Sequence, residues 1–173
     1  LAIDIETDCA PGFEFSNPLR EEDRILSIAL RDNHGHEEVL FGRELDEKEM
    51  LIALGERISQ LDPDILEGHN FFNFDLEYLV ARARRHGVKL TWGRDRSEPR
   101  LRKSRFTVAE RIIDFTRMDI FGRHVVDTLF LLQYYDVTAR ELESYGLKAA
   151  AVHFGLAEED RTYVAREKIQ WTY

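Results

Sequence analysis

The apolar residues of the chain form short continuous runs that are interleaved with helical repeats. The runs predict β-strands over residues 1–5, 24–31, 37–41, 65–66, 112–115 and 124–126. Apolar positions spaced by three and four predict helices over residues 45–61, 73–87, 129–135 and 147–154. Asn73 is the predicted cap of the second helix and Gly87 its stop. Residues 91–104 follow neither pattern and contain Pro99, which predicts an irregular loop.

Strands that alternate with helices predict an α/β fold, with a sheet of mixed direction that is flanked by helices. Residues 32–35 have turn chemistry, so the second and third strands should form an antiparallel hairpin. The 173 residues are enough for one well-packed domain and short for two. Because the chain opens inside an apolar run and ends at Tyr173 without a helix-stop signal, we expect a fragment of a longer polypeptide.

The composition argues against membrane-spanning, disulfide-stabilised and cysteine-ligated zinc proteins. The sequence has no run near the roughly 20 apolar residues that a membrane-spanning helix needs, and its start lacks a signal-peptide pattern. Cys9 is the only cysteine, which excludes a disulfide framework and a thiolate zinc cluster. We expect a soluble protein of the cytoplasm, with no membrane partner, associated with the nucleoid if its source is prokaryotic.

The charged residues are unevenly distributed. A net charge of −9 argues against binding nucleic acid by general electrostatics. Residues 82–105 nevertheless contain ten Lys or Arg against two acids. This basic segment includes Arg100, Arg102 and Lys103. It is compatible with a surface that follows a phosphate backbone, or with an ordinary solvated helix face and loop.

Asp4 and Glu6 are two positions apart on the first predicted strand. Their side chains should therefore share one face of the sheet, while Ile3 and Ile5 occupy the other. Two anions on one face of a buried strand are costly unless a cation or hydrogen-bond donors compensate. A hard cation such as Mg²⁺ or Mn²⁺ would do so. By itself, an Asp-x-Glu pair is also an ordinary feature of a strand end.

A further acid follows a phenylalanine-rich segment at a predicted junction of strand and helix. Asp75 should lie in the first helical turn, where the positive helix end keeps a carboxylate ionised. It could also merely complement the helix dipole. Phe71, Phe72 and Phe74 are candidates either for the core or for stacking on an unpaired base.

Four segments together resemble the exonuclease domain of family B DNA polymerases. Residues 4–7 (Asp-Ile-Glu-Thr) resemble the first exonuclease motif of that family, and residues 70–75 (Asn-Phe-Phe-Asn-Phe-Asp) resemble the second. Residues 93–100 look like the loop that archaeal-type members carry after the second motif. Residues 121–127 contain Gly-Arg-His-Val-Val-Asp and resemble the G-R-x-x-x-D strand that follows it. The matches occur in the family's order over most of the chain.

This resemblance implies a ribonuclease-H-like fold of the DEDD exonuclease superfamily. It also implies a proofreading 3′→5′ exonuclease that removes nucleoside monophosphates from single-stranded DNA 3′ ends. In that family four carboxylates hold two Mg²⁺ or Mn²⁺ ions, and Asp4, Glu6 and Asp75 match three of them. The implied substrate-binding residues are Thr7, Asn70, Phe72, Phe74, Arg100, Arg102 and Lys103. The basic ones are expected to follow the DNA backbone or to meet the polymerase domain of a parent chain.

The family's third motif, Tyr-x₃-Asp, supplies the fourth carboxylate and is not recognisable here. Tyr163 and Glu167 have its spacing but fall earlier than it does in related polymerases. Asp127 is expected to make local hydrogen bonds, and Asp114 and Asp119 to be surface acids. We therefore expect the chain to end before the third motif, and the 173 residues alone to hydrolyse DNA slowly or not at all.

Two other functions stay open. One is a DEDD ribonuclease that acts on RNA 3′ ends, against which the polymerase-like loop argues. The other is a non-catalytic DNA-binding or scaffolding module, against which the three acids argue and for which the missing fourth acid argues. A zinc site is not expected, because the histidines form no pair with ligand spacing. His69 is expected to pack rather than to contact substrate.

Overall fold

The computed structural model of the chain describes residues 1–157. The strands are β1 (Ala2–Thr7), β2 (Ile25–Arg31), β3 (Glu37–Phe41), β4 (Ile65–Gly68), β5 (Arg100–Val108), β6 (Arg111–Asp119) and β7 (His124–Asp127). The helices are α1 (Glu47–Leu61), α2 (Asp75–His86), α3 (Thr128–Ala139) and α4 (Leu147–His153). Within residues 1–157, no helix is both long and apolar enough to cross a membrane.

Five strands form one sheet in the order β3-β2-β1-β4-β7. β2 is antiparallel to β1 and β3, whereas β4 is parallel to β1 and β7. In the turn between β2 and β3, the Asp32 carboxylate accepts hydrogen bonds from the backbone N–H groups of His34 and His36. The predicted mixed α/β sheet, with an early antiparallel hairpin and later parallel strands flanked by helices, is confirmed.

The core lies on one face of β1. Ile3 and Ile5 point into it and are 2% and 5% exposed. Leu54 of α1 and Leu79 of α2 belong to the same cluster and are fully buried. Because side chains alternate along a strand, Asp4 is turned to the opposite, exposed face. The apolar pattern of β1 thus determines on which side of the sheet its acids lie.

The prediction of an irregular loop over residues 91–104 is wrong for residues 100–104. They begin β5, which pairs with β6 in an antiparallel hairpin that forms a second, two-stranded sheet. Six of the nine side chains of β5 are exposed and four are basic, and its half-buried and buried apolar residues, Phe106 and Val108, come only near its end. A strand with so little apolar surface gives almost no hydrophobic pattern.

The hairpin is attached to the rest of the domain by phenylalanine rings. Phe106 of β5 stacks on Phe130 of α3 with ring centroids 4.6 Å apart. Phe115 of β6 lies edge-on to Phe130 at 4.9 Å and contacts Phe72 at 5.0 Å. Aromatic pairs at such separations add to the stability that burial alone provides. The half of the hairpin nearest its turn is therefore tied both to α3 and to the segment before α2.

The start of α2 also differs from the prediction. Asn73 does not cap the helix: Phe74 occupies the N-cap position, and no side-chain hydrogen bond is made there. The preceding turn supplies backbone partners instead, since Phe74 N–H donates to Asn70 O at 3.0 Å. Gly87 ends the helix in the left-handed conformation, as predicted.

Candidate active site

The predicted acids lie at the carboxyl end of β1 and at the start of α2. In the described chain, β1 and β4 pair at Ala2 and Glu67 and no further. β1 continues to β2 on one side of the sheet and β4 to β7 on the other, so their carboxyl ends border a crevice of the kind that binds ligands in α/β proteins. Within it, Ile5 N–H donates to Asp75 Oδ1 at 3.1 Å. Asp75 is thereby bonded to β1 between Asp4 and Glu6.

The turn between β4 and α2 allows this close approach. A Cβ atom at Gly68 would lie 2.4 Å from the Phe71 ring and 2.9 Å from the backbone oxygen of Ile3, so only glycine fits. Asn70 adopts a left-handed conformation with φ of 60°, which Asn tolerates better than most residues do. These two positions let the chain turn from β4 directly into the helix that begins at Asp75.

Burial and mutual repulsion raise the pKa values of two of the acids. Burial raises the pKa of Asp75 to about 8, and the charge of Asp4 adds to this effect. Burial and then Asp4 likewise raise the pKa of Glu6. Hydrogen bonds from the backbone N–H groups of Ile5 and Asp75 itself lower the pKa of Asp75 but do not outweigh burial. Burial thus opposes the effect of the helix end that was predicted to keep Asp75 ionised.

The three acids suit a hard cation in charge and in chemistry. Mg²⁺ and Mn²⁺ prefer oxygen ligands, and a cation would relieve the repulsion that raises the pKa values of Glu6 and Asp75. In the described residues 1–157, however, no three Asp, Glu, His or Cys side chains are arranged so that they could hold one ion. The charges of Glu6 and Asp75 therefore interact with that of Asp4, but the three side chains do not form a complete metal site in this structure.

α2 also holds the segment that connects β1 to β2. Asp75, Tyr78 and Arg82 lie three and four positions apart and therefore share one face of the helix. Tyr78 Oη donates to the backbone oxygen of Asp23 at 2.8 Å, and Arg82 Nη1 donates to that of Arg20 at 2.6 Å. The helix that presents Asp75 thus also positions the residues that follow the first acidic motif.

Sequence reasoning missed the ion pair that supports this connection. Arg82 Nη2 donates to Glu47 Oε2 at 2.6 Å, and their side chains are only 2% and 5% exposed. His86 Nε2 lies 2.6 Å from the same oxygen. A signal for Arg82 does exist, since it is a basic residue inside the apolar stripe of α2, seven positions after Asp75. Glu47 gave none, because an acid in the first turn of a helix is common.

Comparison with known proteins identifies the family. The family model described as "DNA polymerase family B, exonuclease domain" matches residues 31–150. This chain belongs to the family B DNA polymerase exonuclease domains. The predicted family is therefore confirmed. The match begins after β1, so the placing of Asp4 and Glu6 beside the second motif depends on the contact between Ile5 and Asp75.

Polymerases from archaea are similar to this exonuclease domain. A DNA polymerase of Pyrococcus horikoshii is 34% identical over 130 residues, which are 70% of this chain and 10% of that protein. A DNA polymerase of Pyrococcus glycovorans is 33% identical over 154 residues, 80% of this chain and 18% of that protein. The structure of the family B DNA polymerase of Pyrobaculum calidifontis matches 97% of this chain at 26% identity and a TM-score of 0.71. The matched part is 20% of that protein's chain. The chain spans a fifth or less of each relative.

The phenylalanines of the exonuclease domain's second motif divide between the core and its border. Phe71 is fully buried and Phe72 is 6% exposed. The Phe72 ring packs against Phe115 and Phe130, with centroids 5.0 and 6.1 Å apart. A ring so enclosed does not reach a DNA base in this conformation, so Phe72 is a core residue. Phe74 is half-buried and remains the candidate for stacking.

Thr7 and Asn70 lie at the two strand ends that border the crevice. Thr7 is the last residue of β1, and its hydroxyl donates to Ser16 Oγ at 2.9 Å. Asn70 follows the end of β4, and its backbone N–H donates to Asp127 Oδ1 at 3.0 Å. Both are partly exposed, so both stay candidates for contact with the DNA 3′ end.

The basic residues predicted to bind DNA lie on the hairpin. Arg100, Arg102 and Lys103 belong to β5 and are exposed. Because side chains alternate along a strand, Arg100 and Arg102 share one face while Lys103 points to the other. Arg102 also donates to the carboxylate of Asp119 across the hairpin. The predicted basic surface is therefore a two-sided ribbon rather than a single patch.

The acids outside the first two motifs have local partners. Asp127 accepts the predicted kind of local hydrogen bond from Leu129 N–H, and it also accepts from the backbone N–H groups of Asn70 and Phe72, which are distant in sequence. Asp114 is exposed and pairs with Arg105 on the hairpin, as expected for a surface acid. Asp119 is partly buried and pairs with arginines.

Two remaining predictions concern His69 and the end of the chain. His69 Nδ1 lies 3.0 Å from Thr128 Oγ1, a packed arrangement of the kind expected. Tyr163 and Glu167, the candidates for a substitute third motif, lie outside the described residues. Their contribution therefore stays a prediction.

Proposed function

We propose that this exonuclease domain removes nucleoside monophosphates from the 3′ ends of single-stranded DNA by metal-dependent hydrolysis, as a proofreading activity. The observation that carries the proposal is the hydrogen bond from Ile5 N–H to Asp75 Oδ1, which joins the second acidic motif to the strand between Asp4 and Glu6. Membership in the exonuclease domains of family B polymerases supports hydrolysis at a DNA end.

In this proposal Asp4, Glu6 and Asp75 hold two Mg²⁺ or Mn²⁺ ions. When bound, such ions supply a nucleophilic water of lowered pKa and stabilise the departing 3′ oxygen. Asp75 is held in place from two sides, by its position in α2 and by Ile5 N–H. Asp4 and Glu6 lie on the more open face of β1. A substrate phosphate that enters the crevice would meet these two carboxylates first.

The 3′ end of the DNA is proposed to contact Thr7, Asn70 and Phe74. The half-buried ring of Phe74 packs against Tyr78 with centroids 5.5 Å apart, which holds it in one orientation. Stacking on such a ring tolerates every base, as a proofreading site requires. The proposed protein partner is the polymerase domain of the same polypeptide, since the matched relatives are DNA polymerases several times longer than this chain.

End-labelled oligonucleotides test the proposal. The assay uses the complete natural polypeptide that contains these residues, with Mg²⁺ or Mn²⁺ and no nucleotides. We expect 5′-labelled single-stranded DNA to shorten stepwise, 3′-labelled DNA to release a mononucleotide first, and EDTA to stop both. Cleavage within the strand, or shortening from the 5′ end, would overturn the proposal. Residues 1–173 alone should act slowly or not at all, because only three of the four family carboxylates are recognised.

Two outcomes of the same assay would favour the other functions. Faster shortening of a matched RNA oligonucleotide would assign the domain to the ribonucleases. Binding of DNA without shortening at any metal concentration would favour a non-catalytic module. The lack of a three-ligand group in residues 1–157 is the observation that speaks for such a module.

Replacing Arg100, Arg102 and Lys103 by Ala should weaken the salt dependence of single-stranded DNA binding. Each phosphate that a protein neutralises contributes about −0.7 to the slope of log affinity against log salt concentration on single strands. Because Arg102 is already paired with Asp119, we expect the slope to move toward zero by about 1 to 2 rather than by the full amount. Fluorescence anisotropy of a labelled oligonucleotide over a salt series measures this slope.

A matched variant separates a local effect from a change in net charge. Arg31, Arg43 and Lys48 are exposed and lie outside the basic segment of residues 82–105, so replacing all three by Ala removes the same charge elsewhere. This control should keep the wild-type slope. An unchanged slope in the hairpin variant would assign the ribbon to contact with the polymerase domain instead of DNA.

A further inference from the structure

We infer that Asp127 is a positioning residue of the exonuclease site, because it braces the turn that places Asp75. The inference rests on the proposed role of Asp75 in hydrolysis. Asp127 is the last residue of β7 and is 3% exposed. A carboxylate so deeply buried is costly unless hydrogen-bond donors surround it. The donors that surround this one belong mainly to the turn between β4 and α2.

Both oxygens of the Asp127 carboxylate are engaged by that turn. Oδ1 accepts from Asn70 N–H at 3.0 Å, and Oδ2 accepts from Phe72 N–H at 3.1 Å. Oδ1 also accepts from Leu129 N–H at 3.0 Å and so caps α3. Because the two turn N–H groups arrive on different oxygens, an isosteric side chain with only one acceptor oxygen would leave one of them unpaired.

Thr128, the residue after Asp127, also bonds to the turn between β4 and α2. Thr128 Oγ1 donates to the backbone oxygen of Gly68 at 3.1 Å. Thr128 Oγ1 also lies 3.0 Å from His69 Nδ1, and since its own proton goes to Gly68 O it accepts from the imidazole N–H. Asp127 and Thr128, at the junction of β7 and α3, therefore hold Gly68, His69 and the residues that follow.

The turn depends on support of this kind. Asn70 has a left-handed backbone, which persists only where its surroundings determine it. The helix that follows has no side-chain cap at Phe74. Its first backbone bonds run back into the braced turn, from Phe74 N–H to Asn70 O at 3.0 Å and from Leu76 N–H to Phe71 O at 2.9 Å.

These bonds connect Asp127 to the catalytic acid. A shift of the turn would be passed to the first turn of α2 through Phe74 and Leu76. Asp75 lies between those two residues, and its Oδ1 reaches Ile5 N–H across the crevice at 3.1 Å. The contact between Ile5 and Asp75 is therefore the place where the loss of the brace becomes visible.

Two variants of Asp127 distinguish positioning from helix capping. Asp127→Ser keeps an oxygen that can cap α3 but is too short to reach the turn. Asp127→Asn is isosteric and keeps one acceptor, but it presents an NH₂ group to one of the two N–H donors. Both variants remove the same charge. Asp46→Ala serves as the control, because it removes the capping box of α1, far from the crevice in sequence and with no partner in it.

The first readout is hydrogen exchange of the Ile5 amide in metal-free protein, measured by NMR. We expect faster exchange in both Asp127 variants than in the wild type, with the larger effect in Asp127→Ser. The Ile58 amide in α1 reports global stability, so in both variants the acceleration of exchange at Ile5 should exceed that at Ile58. Asp46→Ala should leave Ile5 protected. If Asp127→Ser does not fold, the isosteric Asp127→Asn carries the same comparison.

The second readout is Mn²⁺ affinity, with 3′ shortening of DNA in the complete polypeptide. Both should fall by about 10–100-fold in Asp127→Ser, the usual cost of losing a partner that orients a metal ligand. If both variants kept the wild-type protection of Ile5 and the wild-type Mn²⁺ affinity, Asp127 would only cap α3, and the inference would be overturned. If the wild type itself bound no Mn²⁺, the proposed function would fail, while the exchange of Ile5 would still decide whether Asp127 positions Asp75.

Discussion

Replacing Asp4 by Asn should reduce the hydrolysis of single-stranded DNA by more than about 100-fold, because even an outer partner of a metal site is worth 10–100-fold. Asp4 is the acid whose charge raises the pKa values of both Glu6 and Asp75. It is therefore the carboxylate that a shared cation would contact first. Asn has the same shape without the charge, and Asp4 lies on the exposed face of β1, so the fold should survive.

The rate of 3′ shortening at saturating DNA measures this effect in the complete polypeptide. Asp64→Asn is the matched control, because its side chain is 83% exposed and pairs with Arg94 outside the crevice. It should leave the rate at the wild-type level. Hydrolysis by Asp4→Asn at a rate close to that of this control would exclude Asp4 from the catalytic site.

Replacing Asp75 by Asn should stabilise the metal-free protein at alkaline pH. The pKa of Asp75 is about 8 in the folded protein against an ordinary 3.8. Since the folded-state value is raised, the stability that the protonated acid contributes is complete below the ordinary value and is lost as pH rises to about 8. Each unit of difference corresponds to about 1.4 kcal/mol. The neutral Asn does not lose stability in this way as pH rises, and its side-chain oxygen can still accept a hydrogen bond from Ile5 N–H.

Urea unfolding in EDTA over a pH series measures the difference. The two proteins should be similar at acidic pH, and the variant should become more stable by several kcal/mol at pH 9. Excess Mn²⁺ should reverse the order there, because a cation favours the ionised carboxylate of the wild type and has no such partner in Asn. Equal stability of the two proteins at every pH would show that burial does not strain the Asp75 carboxylate.

The parts of the fold that depend on periodicity could be predicted from the sequence. The alternation of apolar and acidic residues over positions 3–6 is enough to place Asp4 and Glu6 on the face of β1 that lies opposite the core. The apolar spacing predicted α1, whose observed start at Glu47 differs by two residues from the expected one. In both cases the pattern is local, because it follows from the geometry of one strand or one helix.

The parts of the fold and site that depend on contacts between distant segments could not be predicted from the sequence. Asp127 meets Asn70 and Phe72 across more than fifty residues of sequence, and nothing local to Asp127 specifies those partners. The raised pKa of Asp75 could not be predicted for the same reason. A helix N-terminus favours the ionised acid, whereas burial and the charge of Asp4, which reverse that preference, arise only in the folded chain.

A titration of the ¹⁵N-labelled chain with substoichiometric Mn²⁺ tests most directly whether the three acids form one cation site. Paramagnetic Mn²⁺ broadens the amide signals of the residues nearest to it. The signals of residues 4–6 and of Asp75 should broaden together at the lowest Mn²⁺ concentration, and Asp4→Asn should abolish this effect. Broadening that begins at another acidic cluster, such as the turn at Asp32, while residues 4–6 and Asp75 stay sharp, would contradict the shared site.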